Sequence, residues 1–316
     1  MIRELKMLHP TYSQEELCRS LGMSRQAHHK SSARTARVVM GREALIAMIK
    51  EIRTTQRKVG GRKLYRMLSG TIHGLPVPMG RDQFFEFLRE EGLLLRRRRS
   101  RVRTTMSKHG MPVYPDLMKH AVINAPGQAL VSDITYWAVP EGFYYVFLVT
   151  DVCSHKIMGH YLAQSLDGAH AIKALRMAMK GSRHELSGQI HHSDRGSQYC
   201  YAKYVNLLRS KGMRISMTET SDPRDNAIAE RVNGILKNEL MEHLSPANFT
   251  QGKAMLEKAV ATYNDERLHM SIDWMVPSAA HQIDHRLPQR WRNYYTSVNP
   301  AQDKPELVTL TQDQHH

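Results

Sequence analysis

The sequence predicts an α/β protein in which a mixed five-stranded sheet with flanking helices follows small all-α units. Up to about residue 95, apolar residues recur at helical spacing, and glycines or capping residues separate the segments. After about residue 125 the pattern changes to β-rich runs, and the elements then follow in the order βββαβαβ. The predicted organisation is a first helical unit over 1–35, a second over 36–95, a basic linker over 96–124, a sheet domain over 125–285 and a C-terminal tail over 286–316.

The first helical unit contains the stretch YSQEELCRSLGMSRQAHHK, which predicts two helices joined by a tight turn. Ser13, with a glutamate three positions later, predicts a capping box, and Ser24 predicts the cap of the second helix. This is the helix-turn-helix pattern, in which the second helix presents its first side chains to the major groove of DNA. An ordinary helical hairpin has the same pattern. We interpret the stretch as DNA-binding through Arg25 and Gln26.

The second helical unit repeats this arrangement between residues 41 and 95. GREALIAMIKEIRTTQ predicts a helix, KVGGRKLYRML a basic helix after a glycine turn, and MGRDQFFEFLREEGLLL a further helix. Arg62 and Lys63 on the basic helix are predicted to contact DNA. The arginine run that follows is either a solvated linker or an arm for phosphate contact, and we interpret it as both. The run consists of Arg96, Arg97, Arg98, Arg99, Arg101 and Arg103.

Charge and composition point to a nucleic-acid partner. The net charge is +15, and residues 1–120 hold 25 Lys and Arg against 10 Asp and Glu, whereas the rest of the chain is balanced. No run of 18 apolar residues or signal peptide is present, so we expect no membrane span and a cytoplasmic, nucleoid-associated protein. The three cysteines, Cys18, Cys153 and Cys200, lack the spacing of a zinc site or a disulfide framework.

The sheet domain starts with three β-rich runs, ALVSDITYWAV, GFYYVFLVTDV and KIMGHYLA, which predict consecutive antiparallel strands. A helix is predicted to begin near Asp167, followed by the short buried strand QIHHS. YCYAKYVNLLRSKG predicts a second helix ending at Gly212, and MRISMT a fifth strand. Because a connection through a helix favours parallel pairing, the last strands are predicted to pair in parallel.

Three acidic residues occupy informative positions on this map. Asp133 lies inside the first strand, where a carboxylate pointing into a sheet is costly unless it meets a cation or a donor. Asp194 ends the fourth strand, and sites of α/β proteins collect at strand ends. Glu230 is on the helix after the fifth strand. All three are predicted to converge at one edge of the sheet.

The helix around Glu230 is itself amphipathic. Asn226, Glu230, Asn233 and Lys237 stand at i, i+4, i+7 and i+11 and form one polar face, while apolar residues form the other. Asp222-Pro223 predicts the start of this helix. An exposed helix with solvated polar residues would show the same pattern.

The blocks SDITY, HSDRGSQY, DNAIAERVNGILKNEL and YNDERLHMSIDWMVPSAAH resemble the second-reading-frame transposases of bacterial insertion sequences, relatives of retroviral integrase cores. The resemblance covers roughly residues 35 to 285. It implies a ribonuclease-H-like catalytic core with a catalytic Asp, Asp, Glu set. These residues fall on Asp133, Asp194 and Glu230.

The resemblance implies DNA cleavage and joining by two divalent ions, Mg²⁺ or Mn²⁺, since hard oxygen ligands select these metals. Asp133 would bridge both ions, with Asp194 on one and Glu230 on the other, and Lys237 would hold a phosphate nearby. The implied partners are double-stranded DNA, at the element's terminal repeats and at the target, and at least one further copy of the chain. The resemblance leaves open a further partner, a helix-turn-helix protein from an upstream reading frame.

Two other functions fit parts of the sequence. A ribonuclease-H-like nuclease or resolvase would use the same carboxylates without joining strands. A transcriptional regulator would bind DNA through the N-terminal helices and carry a catalytically silent sheet domain, although the intact acidic set argues against it.

Overall fold

The structure, a computed structural model, describes residues 2–95, 111–140, 142–219, 226–284 and 287. They form two compact units. The first combines Met1–Thr104 with Gly234–Leu268, and the second combines Thr105–Asn233 with His269–His316. Each unit is described separately below.

The described residues contain twelve α-helices and two π-helical segments. The helices are α1 (Ile2–Leu8), α2 (Gln14–Ser20), α3 (Arg25–Thr55), α4 (Gly61–Met67), α5 (Ser69–His73), α6 (Arg81–Glu90), α7 (Gly168–Lys180), α8 (Ser197–Cys200), α9 (Ala202–Ser210), α10 (Ala227–Ile235), α11 (Phe249–Ala261) and α12 (Pro277–His281). The π-helical segments are Leu236–Met241, directly after α10, and Thr262–Glu266, directly after α11. No described helix is long and apolar enough to cross a membrane.

The five strands form one mixed sheet in the second unit. They are β1 (Ala129–Val139), β2 (Gly142–Asp151), β3 (Ile157–Ala163), β4 (Ile190–Ser193) and β5 (Arg214–Met217). Their order is β3-β2-β1-β4-β5, with β1, β2 and β3 antiparallel and β1, β4 and β5 parallel. The predicted sheet is confirmed, because the β-rich runs pair in the way that their connections favour.

Helix α7 covers the sheet, and its backbone packs very close to the backbone of β3. It begins after Asp167, near the predicted start, and the Asp167 side chain caps it by accepting from Ala169 N; the helix buries Leu175 completely. A Cβ at Gly159 of β3 would lie 2.1 Å from the backbone oxygen of Ala174, far inside contact distance. Only glycine therefore allows this approach.

One predicted helix of the second unit is interrupted. The segment around Tyr201 was expected to continue one helix to Gly212, but the backbone of Tyr201 is extended, with ψ of 126°, and separates α8 from α9. Gly212 has a φ of +66°, so the end of α9 is where the glycine predicted it.

The first unit confirms the predicted caps. Ser13 and Glu16 form a reciprocal capping box on α2, and Ser24 accepts from Ala27 N at the start of α3. Helix α3 then continues for 31 residues, so the boundary predicted between residues 35 and 36 falls inside one helix. Only its second half joins a core, through the completely buried Leu45 and Ile49.

A charge cluster joins the two chain segments of the first unit. Arg267 donates to both carboxylate oxygens of Glu239, at 2.9 and 3.0 Å, and Lys63 lies 3.6 Å from the same carboxylate. Burial alone would raise the pKa of Glu239, but the two cations outweigh it and lower that pKa. Lys58 and Glu242 form a neighbouring ion pair. The carboxylate of Glu239 therefore compensates two partly buried cations at once.

The cysteines agree with the sequence interpretation. Cys18, Cys153 and Cys200 are all buried, and each is a free thiol. None is positioned as part of a disulfide, and they fill apolar space.

Candidate active site

The parallel pairing of β1 and β4 places two of the predicted acidic residues next to each other. Ser132 of β1 is in register with Ser193 of β4. Asp133 follows Ser132 in β1, and Asp194 follows Ser193 at the end of β4. These two side chains therefore extend side by side at the carboxyl end of the β1–β4 pair. Asp194 was predicted to end the fourth strand, and β4 ends one residue earlier, at Ser193.

The environment of Asp133 disfavours its ionised form. Burial and the negative charges of Asp194 and Glu230 raise the pKa of Asp133 from 3.8 to about 7. Two hydrogen bonds act in the opposite direction: the backbone N–H of Ile134 donates to Oδ1 at 2.8 Å, and Asn233 Nδ2 donates to Oδ2 at 2.6 Å. The charges of Asp194 and Glu230 thus both act on the Asp133 carboxylate, as expected where carboxylates gather to hold a cation.

Asp194 is held by the loop that follows β4. Its Oδ1 accepts from the backbone N–H of Gly196 at 3.0 Å. A Cβ at Gly196 would lie 3.0 Å from that same oxygen, so a larger residue would press on the carboxylate. Tyr199 is buried beside this loop, and burial together with the charges of Asp133 and Asp194 raises the pKa of its hydroxyl.

Helix α10 carries Glu230, and asparagines on either side of Glu230 in the sequence bond to β1. Asn226 Nδ2 donates to the carbonyl oxygen of Ser132 at 3.2 Å, and Asn233 Nδ2 donates to Asp133. Both asparagines are buried, whereas Glu230 is exposed. Sequence reasoning placed the two asparagines on a polar face with Glu230 but gave them no role. Their spacing of seven residues, two helical turns, was the available signal.

A buried polar group supports β1 and β4 from within. Nε2 of His191 lies 2.8 Å from Ser132 Oγ and 2.9 Å from the hydroxyl oxygen of Tyr204. Burial and the charge of His192 lower the pKa of His191 to about 3, so its ring is neutral. This group fixes the residue next to Asp133 without adding charge to the site.

The acidic residues have the donor chemistry of a divalent-cation site. Within the parts of the chain that the structure describes, no three His, Cys, Asp or Glu side chains stand close enough together to hold a metal ion as they are. Burial and the charges of Asp194 and Glu230 nevertheless raise the pKa of Asp133, and a bound divalent cation would offset this by favouring the ionised carboxylate. The Oδ1 atoms of Asn226 and Asn233 are buried and accept no hydrogen bond from a described residue. These oxygens and the carboxylates form the hard donor set that Mg²⁺ prefers.

The residues predicted to bind DNA occupy different surroundings. Arg25 and Gln26 are exposed on the first turn of α3, and Arg62 is exposed on α4. Lys63 is only 14% exposed and pairs with Glu239, so DNA contact would compete with that ion pair. Lys237 lies half-buried on the π-helical segment after α10, where the helical spacing from Glu230 changes. The arginines from Arg96 to Arg103 and the Asp222-Pro223 start are outside the described residues.

Comparison with solved structures gives weak structural likeness. The HTLV-2 integrase catalytic core domain in complex with magnesium is 19% identical, and the match covers 50% of this chain and 97% of that domain with a TM-score of 0.40. A chain of the simian T-cell lymphotropic virus intasome in complex with PP2A regulatory subunit B56 gamma is 17% identical, with 78% of each chain covered and a TM-score of 0.44.

Sequence comparison is decisive. The integrase core domain family model matches residues 123–223, and a second model of the same description matches residues 211–277. The transposase for insertion sequence element IS629 of Shigella sonnei is 30% identical over 309 residues, which cover 94% of this chain and 98% of that protein. The 31 kDa protein of insertion element IS600, also from Shigella sonnei, is 30% identical over 86% of this chain and 99% of its own length. The sheet domain thus belongs to the integrase core domain family, and the chain is a member of the insertion-sequence transposases, the DDE polynucleotidyl transferases.

Proposed function

We propose that this transposase cuts DNA at the ends of its insertion sequence and joins the freed 3′-hydroxyl ends to new DNA, with Asp133, Asp194 and Glu230 as its catalytic residues. The observation that carries the proposal is the register of β1 and β4, which sets Asp133 beside Asp194. Helix α10, bonded to β1 on both sides of Glu230, supports the third position.

The three carboxylates would hold two divalent ions, Mg²⁺ or Mn²⁺. Asp133 is suited to contact both ions, because Asp194 and Glu230 both act on its charge. When bound, the ions supply charge stabilisation for the attacking and leaving oxygens of the phosphodiester. The chain holds no nucleophile in this scheme, because the attack comes first from water and then from the 3′-hydroxyl.

The remaining residues of the site orient the carboxylates. Asn233 fixes Oδ2 of Asp133, and Gly196 N–H fixes Oδ1 of Asp194, so these two acidic groups are held before DNA arrives. Such preorganisation lowers the barrier because the groups need not be ordered during the reaction. Lys237 is proposed to hold a DNA phosphate. Asn226 keeps α10 against the strand that carries Asp133.

DNA recognition is assigned to the N-terminal units. The capped α2–α3 pair presents Arg25 and Gln26 as a helix-turn-helix would, and Arg62 lies on the second basic helix. The arginines from Arg96 to Arg103 are proposed to contact phosphates. At least two copies of the chain would act on two DNA ends, since one chain has one set of three carboxylates. An upstream-frame partner is tested by asking whether the purified chain alone binds the ends.

The function is tested with labelled duplexes that carry the element's terminal repeats, incubated with the purified chain and Mg²⁺. Joined products support a transposase. Cut products without joining would mean a nuclease or resolvase, and a mobility shift without either product would mean a regulator.

Three variants test the site assignment in the same assay: Asp133→Asn, Asp194→Asn and Glu230→Gln. Each removes a metal-ligand charge and little volume, so cutting and joining should be lost while end binding is nearly unchanged. The matched controls are Asp265→Asn and Glu257→Gln, which change exposed carboxylates outside the site. Full activity in any one of the three site variants would contradict its assignment.

A further inference from the structure

The first half of α3 joins no apolar core among the residues that the structure describes. Every residue from His29 to Arg37 is exposed, so this part of the helix meets no apolar partner among the described residues. Ser31, Ser32 and Thr35 are also weak helix formers. A helix that is polar all round normally bridges solvent or awaits a partner, because packing supplies most of the stability of protein helices.

The charge of this segment identifies the partner. Residues 17–42 contain no Asp or Glu but hold six Lys and Arg. Lys30, Arg34 and Arg37 stand at i, i+4 and i+7 and therefore share one face of α3. Their side chains form no ion pair or hydrogen bond with any residue that the structure describes. Arg267 of the same unit, by contrast, is paired with the carboxylate of Glu239.

We propose that the segment Lys30–Arg37 of α3 is a DNA-backbone contact, and that α3 continues from the recognition turn at Arg25 along the phosphates of duplex DNA. The proposal rests on the proposed function, since it takes DNA as the bound polyanion. Lys30 and Arg37 are about 10 Å apart along the helix axis, at 1.5 Å per residue. That length matches about three phosphates of one strand, at 3.4 Å each.

The joint between α2 and α3 supports a contact of defined direction. Gln14 Nε2 lies 3.2 Å from Nδ1 of His28, and Nε2 of His28 lies 3.5 Å from Ser32 Oγ. Together with the cap at Ser24, these bonds fix the helix start on the turn before it. The direction in which the exposed face extends from Arg25 is therefore fixed by these bonds.

The test measures the affinity of the full chain for a random-sequence 40-base-pair duplex over a range of salt concentrations. The triple variant Lys30→Gln, Arg34→Gln, Arg37→Gln should lower the slope of log K against log salt by about 2.7, because each of the three neutralised phosphates contributes about 0.9. Glutamine keeps the helix propensity of the residues it replaces. The charge-matched control is Arg176→Gln, Lys180→Gln, Lys203→Gln, which alters exposed residues of α7 and α9 and should leave the slope nearly unchanged.

Two further measurements keep the outcome decisive. A charge-keeping variant, Lys30→Arg, Arg34→Lys, Arg37→Lys, should restore the wild-type slope. Amide hydrogen exchange of residues 29–37 should be fast in the free protein and slower with the duplex bound, because DNA would supply the missing packing. Equal slopes for the glutamine variant and wild type, or unchanged exchange on DNA binding, would overturn the proposal. Failure of the transposase assignment would appear separately, as wild-type chain that binds DNA but never joins strands.

Discussion

Replacing Asp133 by asparagine should stabilise the metal-free protein, although it removes a carboxylate that we propose to be catalytic. The pKa of Asp133 is raised from 3.8 to about 7, and about 3 units at 1.36 kcal/mol each correspond to about 4 kcal/mol of penalty on the ionised form. Asparagine at this position carries no charge and escapes that penalty.

Hydrogen bonding is already part of this value, because the bonds from Ile134 and Asn233 lower the pKa of Asp133 and burial with the two neighbouring charges still raises it to about 7. The amide oxygen of the replacement can still accept from Ile134 N–H, and its NH₂ can donate to Oδ1 of Asn233, which has no donor among the described residues, once the Asn233 amide turns over. The net expectation is a gain of about 4 kcal/mol at pH 8, or roughly 8–16 °C in Tm.

The pH dependence gives the sharpest check. Because the folded pKa of Asp133 is raised, the wild-type penalty is complete above about pH 7, shrinks as the pH falls from 7 to 4, and vanishes below 3.8, where folded and unfolded states are both protonated. Calorimetry in EDTA at pH 8, 6 and 4.5 should therefore show the advantage of the variant declining. Asp265→Asn should show no such trend. A variant less stable than wild type at pH 8, or a pH-independent difference, would refute the reasoning.

Three other experiments address the Glu239 cluster, the loop at Gly196 and the assembly of the chains. Glu239→Gln should lower the free energy of unfolding at pH 7 by about 1–3 kcal/mol in urea titration, because Arg267 and Lys63 lose their shared counter-charge. This loss of stability should shrink below pH 4.5, where the wild-type carboxylate also becomes protonated. An unchanged free energy of unfolding would mean that the two cations find other partners. Gly196→Ala should cut the rate of joining roughly ten- to a hundredfold with little change in Tm, since the added Cβ would displace the Asp194 carboxylate. A wild-type rate of joining would show that the loop moves and leaves the carboxylate in place. Mixing Glu230→Gln chains with chains deficient in DNA binding should restore joining if chains act in trans, whereas a fully active monomer on DNA would exclude it.

Much of the sheet was predictable because its signals are local. β-Branched and aromatic runs marked β1, β2 and β3, and the position of Asp194 after a short buried strand marked the edge where the site lies. The parallel register that sets Ser132 against Ser193 was not predictable, because it depends on residues 61 positions apart.

The predictions for the helices were wrong where local signals and tertiary contacts favour different helix bounds. Nothing between Arg25 and Thr55 except Gly41 strongly disfavours a helix, so α3 continues past the boundary that composition suggested. Beyond Ile235 the backbone becomes π-helical, which changes the spacing on which the predicted face from Asn226 to Lys237 depended. The pairing of Glu239 with Arg267 is likewise a tertiary contact that the sequence of neither segment predicts.

Gly159 bears on how genetic data for this transposase should be interpreted. It lies on β3, an edge strand two positions from β1, yet a single added methyl group there would meet the backbone of α7 at Ala174. A screen for lost transposition would thus recover Gly159 substitutions as readily as Asp133 substitutions. Cellular protein levels separate the two classes: chains altered at Gly159 should be degraded, whereas chains altered at Asp133 should accumulate and compete with wild type for DNA ends.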